Sequence, residues 1–396
     1  MKKNENENAR RCVIFLTMSP RGILQLEATQ MAVALRIAVQ KANLGADSYL
    51  ATLNVNADSP AGRLARSVYD DDHILCGENM ARLTEKIKCL FGRYDVVLLE
   101  FAGSIHTLRH LILLKRKYGE RFRIVASIWS YRHGTWLQWA CSLIYAFLYL
   151  RYVDRVVFGC PYAARNFTMA DLLFRKGKAC VMPLAGTSCD DGDDASVWKI
   201  LDARGLADVL KDNGVFKVVY MAQLRPIKNH IWLTKALIPV MIENPSLHVI
   251  YCGGEGGVRF NQIISLARAA KLEDRFHLPG RMPYETVPTI LRQANCSIVP
   301  SASETYGFTY IEPMMFGAPV LGTRVGVGEY AIQDYYNGLS FSLSSVEDFR
   351  QKIRFLVKNR ELAAEMGRNA RKFATETFSM PCVAEMRVAM YKDILG

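Results

Sequence analysis

Apolar runs of strand length alternate with helical patterns from the start of this 396-residue chain, and no other feature limits its fold as much. CVIFLT (12–17), DSYLATL (47–53), DVVLLEF (95–101), RIVASIW (123–129) and DRVVFG (154–159) are separated by stretches long enough for a crossover helix. Parallel strands need such crossovers, and strands covered by helices on both sides are apolar on both faces, so the pattern predicts a doubly wound parallel sheet. FKVVYMA (216–222), LHVIYCG (247–253), CSIVPS (296–301) and APVLGT (318–323) repeat the plan. The expected fold class is therefore α/β, with two doubly wound Rossmann-like domains, and the length suits two full cores.

CDDGDDASVW (189–198) is acidic, carries a glycine and is poor in strand formers, which places the domain boundary near residue 190. Residues 1–190 then form an N-terminal domain and residues 191–379 a C-terminal one. Beyond Ser345, EDFRQKIRFLVKN, RELAAEMGRNARKFATETF and VAEMRVAMYKDIL carry helical periodicity broken at Met380 and Pro381. Three closing helices are expected, the last (380–396) packing back on the N-terminal domain.

Half of the residues are hydrophobic and 22% are charged, as in a packed soluble protein. MKKNENENARR has no apolar segment behind its basic residues, so no secretory signal is read there. The ten cysteines are scattered without a Cys-x-x-Cys pair, which fits reduced thiols of a cytoplasmic protein and gives no metal site.

Charge is uneven: residues 1–190 hold 26 Lys plus Arg against 16 Asp plus Glu, and residues 191–396 hold 24 against 22, so the halves carry +10 and +2. The first half is expected either to present an ordinary soluble basic surface or to face something anionic, such as a membrane leaflet or a phosphate-bearing acceptor. Nucleic acid is disfavoured because the basic residues are dispersed and no nucleic-acid motif is present. Gly134–Leu150, GTWLQWACSLIYAFLYL, is uncharged, yet a span there would put two halves of one sheet on opposite sides of a bilayer. It reads as a buried or membrane-surface helix, with Trp136, Trp139, Tyr145 and Tyr149 as its interfacial anchors in the second case.

The segment richest in chemistry is SASETYGFTYIEPMMFGAPVLGTRVGVGE, from Ser301 to Glu329, directly after an apolar strand. Ligands in open parallel sheets bind beyond the carboxyl ends of strands, which puts Glu304 at a binding crevice. Gly307 allows close backbone approach, and the helix that follows offers free amides and a positive dipole end to a diphosphate. Glu312, one turn further, is placed to accept ribose hydroxyls.

Glu304-x-Tyr306-Gly307-x4-Glu312, followed by Phe316-Gly317-Ala318-Pro319-Val320, resembles the signature of family 4 retaining glycosyltransferases. Lys228 in MAQLRPIKNH, the glycines of CGGEGG, HLPGRMPYETVPTIL and Asn337-Gly338-Leu339 fall in the same order as in that family. The resemblance implies the GT-B architecture, two Rossmann-like domains facing across a cleft, and metal-independent transfer of a sugar from a UDP- or GDP-sugar to a glycan or lipid-linked acceptor. By position, Glu304 would bond donor-sugar hydroxyls, Glu312 would hold the ribose, and amides near Gly307, Phe308 and Thr309 would receive the diphosphate. Lys228 would neutralise the departing phosphate, Gly253 would lie in the donor site, and Arg281 and Met282 would border the base.

The family places an arginine five positions before that lysine, where this chain has Gln223. Arg225 is the candidate substitute: either the cationic partner reaches in from a shifted position, or leaving-group stabilisation is weaker. In the N-terminal half, Gly22 falls between the first strand and helix, where a glycine lets a loop approach the donor phosphate. The family's histidine after the fourth strand is replaced by Trp129; His133 is the expected substitute, with His106 and Glu100 as further candidates. Two other readings compete: a non-catalytic nucleotide-sugar-binding protein, and another GT-B enzyme such as an epimerase or phosphorylase.

Overall fold

The computed structural model describes residues 9–17, 26–53, 58–102, 105–128, 136–186, 195–254 and 256–396. The chain divides into two compact units, Met1–Ala185 with Ser379–Gly396, and Gly186–Phe378. Each is a doubly wound α/β fold, as the alternating pattern predicts.

The first unit holds β1 (Arg11–Thr17), β2 (Ala46–Leu53), β3 (Ile74–Gly77), β4 (Val96–Ala102), β5 (Phe122–Ile128), β6 (Arg155–Phe158) and β7 (Ala179–Val181). They pair in parallel in the order β3-β2-β1-β4-β5-β6-β7. Successive strand residues point to opposite faces, so the two faces feed two separate cores. Cys12, Ile14, Leu16, Val97, Leu99 and Phe101 pack on one side, with helices α1 (Leu26–Lys41) excluded from it and α2 (Ile105–Tyr118) and α3 (Trp136–Tyr152) included. Val13, Leu98, Val125 and Val157 face the other side, against α1 and the closing helix Met380–Leu395.

Helix α3 lies in the segment read as buried or membrane-surface. Ala146, Tyr149 and Val153 enter the core and Tyr145 packs against it, so Tyr149 is a core residue rather than a surface anchor. The side chains of Trp136 and Trp139 lie outside the described residues. Among the described side chains of α3, the large apolar residues that face outward are Ile144 and Phe147. Among the described residues, no helix is long and apolar enough to cross a membrane.

The closing helix starts at Ser379, whose hydroxyl accepts from the Cys382 amide, and Pro381 stands in its first turn, where a missing N–H costs nothing. Ala384, Val388, Tyr391 and Leu395 recur at helical spacing and enter the core of the first unit. With them comes Arg387, only 3% exposed, whose guanidinium pairs with Glu100 of β4, itself 1% exposed. Ser127 of β5 donates to Glu100 at 2.5 Å and accepts from Arg387 at 2.9 Å, and the Tyr391 hydroxyl donates to the second carboxylate oxygen. Glu100 is thus spent on holding a helix and is not open to a reacting group.

The second unit holds β8 (Phe216–Met221), β9 (Leu247–Cys252), β10 (Phe276–Gly280), β11 (Cys296–Val299), β12 (Val320–Gly322) and β13 (Gly338–Ser340), all parallel, in the order β10-β9-β8-β11-β12-β13. Four strands carry no clear sequence signal. β3, β7 and β13 are three or four residues long, too short for an alternation to register. β10 contains Pro279 and shifts register between His277 and Gly280, which an edge strand tolerates.

Replacing Arg387 by Met leaves Glu100 buried without its cation and is expected to destabilise the first unit by about 3–5 kcal/mol. The double change Glu100→Leu with Arg387→Met should recover much of that loss. Denaturant unfolding of Glu100→Leu, Arg387→Met and the double variant measures both; a double variant that loses the sum of the two single losses would mean that the pair is not coupled.

Candidate functional site

The strand order of the second unit reverses between β8 and β11, the place where an open parallel sheet leaves a crevice beyond its carboxyl ends. Two loops leave the sheet there. One, after β8, runs through Gln223 and Arg225 to a single 3-10 turn, Pro226–Lys228; the other, after β11, runs from Pro300 to Gly307.

Hydrogen bonds stitch these loops together. The Ala302 amide donates to the Ile227 carbonyl at 2.9 Å, and the Asn229 side chain donates to the Pro300 carbonyl at 2.8 Å from a left-handed backbone that asparagine tolerates. Tyr220 of β8 donates from below to the Lys228 carbonyl at 3.0 Å. The stitching brings the Lys228 ammonium onto the Glu304 carboxylate, with side chains 17% and 9% exposed, and Ser301 donates to the same carboxylate oxygen at 2.6 Å.

Below the second loop, the Tyr310 hydroxyl donates to the Thr323 carbonyl at 2.9 Å, and Thr323 donates to the Ser301 carbonyl at 2.7 Å. Burial pushes the Tyr220 and Tyr310 phenols well above their usual range, so both remain donors. A third segment closes on Glu304. At Gly326 a Cβ would lie 2.3 Å from the Tyr306 carbonyl oxygen and 2.8 Å from the Glu304 Cβ, at a φ of +59°, so only glycine lets the 324–328 turn pass this close.

Helix α4 (Phe308–Met315) begins at Gly307, whose φ of +105° is open to glycine and strained for other residues. Its first amides, those of Phe308 and Thr309, belong to the end of a helix that lacks intrahelical partners and carries the positive dipole end. Phe308 is exposed, Thr309 and Glu312 are half-buried, and Pro313 falls inside the helix. The two loops and the start of α4 thus present one cation, one carboxylate and helix-end amides, a set suited to a sugar bearing a phosphate.

The other expected positions distribute as follows. Gly253 follows β9 at a φ of +137°, where a Cβ would meet the Ala222 carbonyl oxygen at 2.4 Å, so it packs directly against the loop after β8. Gln223 and Arg225 are exposed on that loop; Arg281 is exposed and Met282 half-buried after β10. His106 is exposed at the start of α2. Gly22 and His133 lie outside the described residues.

One cation escaped the sequence reading. Arg259, in the helix Gly257–Ala269, donates to the Leu224 carbonyl at 3.4 Å and so stands beside Gln223, where the resemblance leads one to expect an arginine. Only the fold brings residue 259 to that loop. Among the described residues, no three His, Cys, Asp or Glu side chains gather as a metal site.

His230 lies under the Lys228 turn, stacked on Tyr220 with ring centroids 4.5 Å apart. Burial, then the Lys228 charge, lowers its pKa to about 4, against an opposing backbone contact at Ala222. His277, burial first and then His248, is also lowered to about 4.

Residues 206–373 match the family model of glycosyl transferases group 1. An uncharacterized glycosyltransferase of Methanocaldococcus jannaschii is 36% identical over 118 residues, covering 30% of this chain and 33% of that protein. D-inositol 3-phosphate glycosyltransferase of Corynebacterium glutamicum is 27% identical over 183 residues, 45% of this chain and 44% of the relative. The chain thus spans less than half the length of either relative. Among solved structures, Anabaena HepE in complex with UDP-glucose superposes with a TM-score of 0.66 at 15% identity, covering 96% of this chain and 99% of the other. The fold is that of the GT-B glycosyltransferases.

The two histidines set a pH dependence. Their folded-state pKa values lie below the unfolded value of about 6.5, so the unfolded chain binds more protons between about pH 6.5 and 4. Their stabilising contribution is complete above about pH 6.5 and is lost as pH falls toward 4. Thermal melts across that window are expected to decline, and His230→Gln to make the decline shallower; an unchanged slope would remove His230 from the account.

Proposed function

We propose that this chain, whose residues 206–373 match the family model of glycosyl transferases group 1, is a retaining hexosyltransferase. In this reading it moves a sugar from a UDP- or GDP-sugar to a glycan or lipid-linked acceptor in cell-envelope polysaccharide or glycolipid synthesis. The observation that carries the reading is the Lys228–Glu304 contact, built by two stitched loops beside the start of α4. The Anabaena neighbour holds UDP-glucose, which makes a uridine donor the first to test.

Glu304 accepts hydroxyls of the donor sugar, and Glu312 accepts those of the ribose. The amides of Phe308 and Thr309 receive the diphosphate. Arg281 and Met282 border the base, while Gly253 keeps the neighbouring loops close enough for the nucleotide to reach the Lys228 turn.

As the bond between the anomeric carbon and the phosphate oxygen breaks, negative charge grows on the leaving diphosphate, and Lys228 with the helix-end amides stabilises it without reorganising. The acceptor oxygen bonds to the same face of the anomeric carbon, and its proton passes to the departing phosphate oxygen. Fixed cations thus take the place of a metal ion, and Arg225 and Arg259 are the candidates to supply the charge that Gln223 lacks. His133 serves the acceptor side and Gly22 the donor phosphate. The N-terminal half, at +10, works against an anionic cytoplasmic membrane leaflet.

Lys228→Ala is expected to cost about 3 kcal/mol of transition-state stabilisation, read as kcat/KM. Glu304→Ala should reduce kcat more than nucleotide affinity, and Glu312→Ala should chiefly weaken nucleotide binding measured by calorimetry. Wild-type rates and affinities in both glutamate variants would overturn the assignment. Donor hydrolysis tested with UDP-glucose, UDP-galactose, UDP-N-acetylglucosamine and GDP-mannose should be unchanged by chelator; a rate lost on chelation and restored by a divalent cation would refute metal independence. The neutral Gln223 favours one other reading, a nucleotide-sugar-binding protein without turnover, and a donor bound tightly but never consumed would establish it.

A further inference from the structure

Helices α2 and α3 pack on one core and lie side by side, fastened at their carboxyl ends where Arg116 donates to the Tyr152 hydroxyl at 2.8 and 3.2 Å. Their outer faces break the usual rule for a helix over a parallel sheet. Leu113 on α2 is 62% exposed, and Ile144 and Phe147 on α3 are 59% and 65% exposed. Ile144 and Phe147 share one stripe of α3 with Arg151, and Leu113 shares one stripe of α2 with Arg109 and Arg116.

Neither helix contains an aspartate or glutamate. Arg109, Arg116, Lys117 and Arg151 are exposed and make no ion pair among the described residues. The nearby carboxylates are already engaged: Asp154 accepts from Lys115 and Arg123, and Glu120 pairs with Arg123. An apolar trio bracketed by cations that have no carboxylate partner among the described residues is complementary to a surface with hydrocarbon beneath and negative charge above.

We propose that the outer face of α2 and α3 docks on the anionic lipid headgroups of a bilayer, with Phe147 and Ile144 entering the acyl boundary and Leu113 beside them. This deepens the membrane reading given above and rests on it, while standing apart from the transfer chemistry. It assigns the contact to residues different from the aromatic anchors that the sequence suggests, since Tyr149 faces the core. Ala146 and Tyr149 of α3 enter the core, so the contact is peripheral and this inner stripe stays in the protein.

The test uses the full chain and two sets of vesicles, phosphatidylcholine alone and phosphatidylcholine with about 30% phosphatidylglycerol, read by flotation. The wild type should float with the anionic set and far less with the neutral one. Ile144→Gln with Phe147→Gln, and separately Arg109→Glu with Lys117→Glu, should each lower the vesicle-bound fraction at least tenfold. Ile242→Gln, an equally exposed residue of the second unit, should leave it unchanged. Far-ultraviolet dichroism and donor hydrolysis in the absence of lipid should match the wild type in all variants. A wild type that ignores anionic vesicles would sink the membrane reading itself. Variants that bind vesicles as the wild type does would sink this face alone, as would a wild-type dimer that Phe147→Gln dissolves without lipid.

Discussion

A lysine and a glutamate that meet at the carboxyl edge of a parallel sheet organise the second unit of this protein. Lys228 follows β8 and Glu304 follows β11, and the two residues, 76 apart in sequence, meet because these strands are neighbours where the strand order reverses. The pair is not held by its own attraction alone, since the two side chains are mostly buried and lose hydration when they meet. Ser301, Asn229, Tyr220 and the glycine at 326 each fix one side of it. Binding a phosphorylated sugar would then give the ammonium a second anionic partner and the carboxylate a set of hydroxyls, exchanging one internal contact for several external ones.

The same logic of occupied partners runs through the first unit. Glu100 lies near the carboxyl end of β4, where a carboxylate in an open sheet invites a catalytic role, yet its oxygens are taken by Arg387, Ser127 and Tyr391. A carboxylate's position on a sheet therefore says less than the side chains above it. On the opposite core, α2 and α3 bury one stripe each and leave cations and apolar side chains outward, an arrangement that composition alone records only as net charge.

Much of the architecture was legible because parallel strands buried on both faces produce long apolar runs, and nine of those runs were long enough to see. The short strands Ile74–Gly77, Ala179–Val181 and Gly338–Ser340 were not, and Phe276–Gly280 was hidden by its proline. The second-unit site was legible as a segment, since Glu304, Gly307 and Glu312 are local to one loop and helix. Arg259 was not, because only pairing of β8 with β9 brings its helix to Leu224. Tyr149 and Phe147 show a finer failure: both are aromatic residues on one uncharged helix, and which faces outward depends on the phase of the helix against the sheet, which a run without charged residues does not reveal.

The route of the chain adds a temporal constraint. It leaves the first unit after Ala185, builds the whole of the second, and returns at Ser379 to lay its last helix over β4 and β5. During synthesis the earlier unit must therefore wait, with Glu100 lacking its cation and the core of Val13, Leu98 and Val125 covered by α1 but not by the closing helix, until residues 379–396 emerge. The part made first is completed last, and a ribosome that stalls anywhere in the second unit leaves behind an exposed half-core of the first, a natural target for chaperones and proteases.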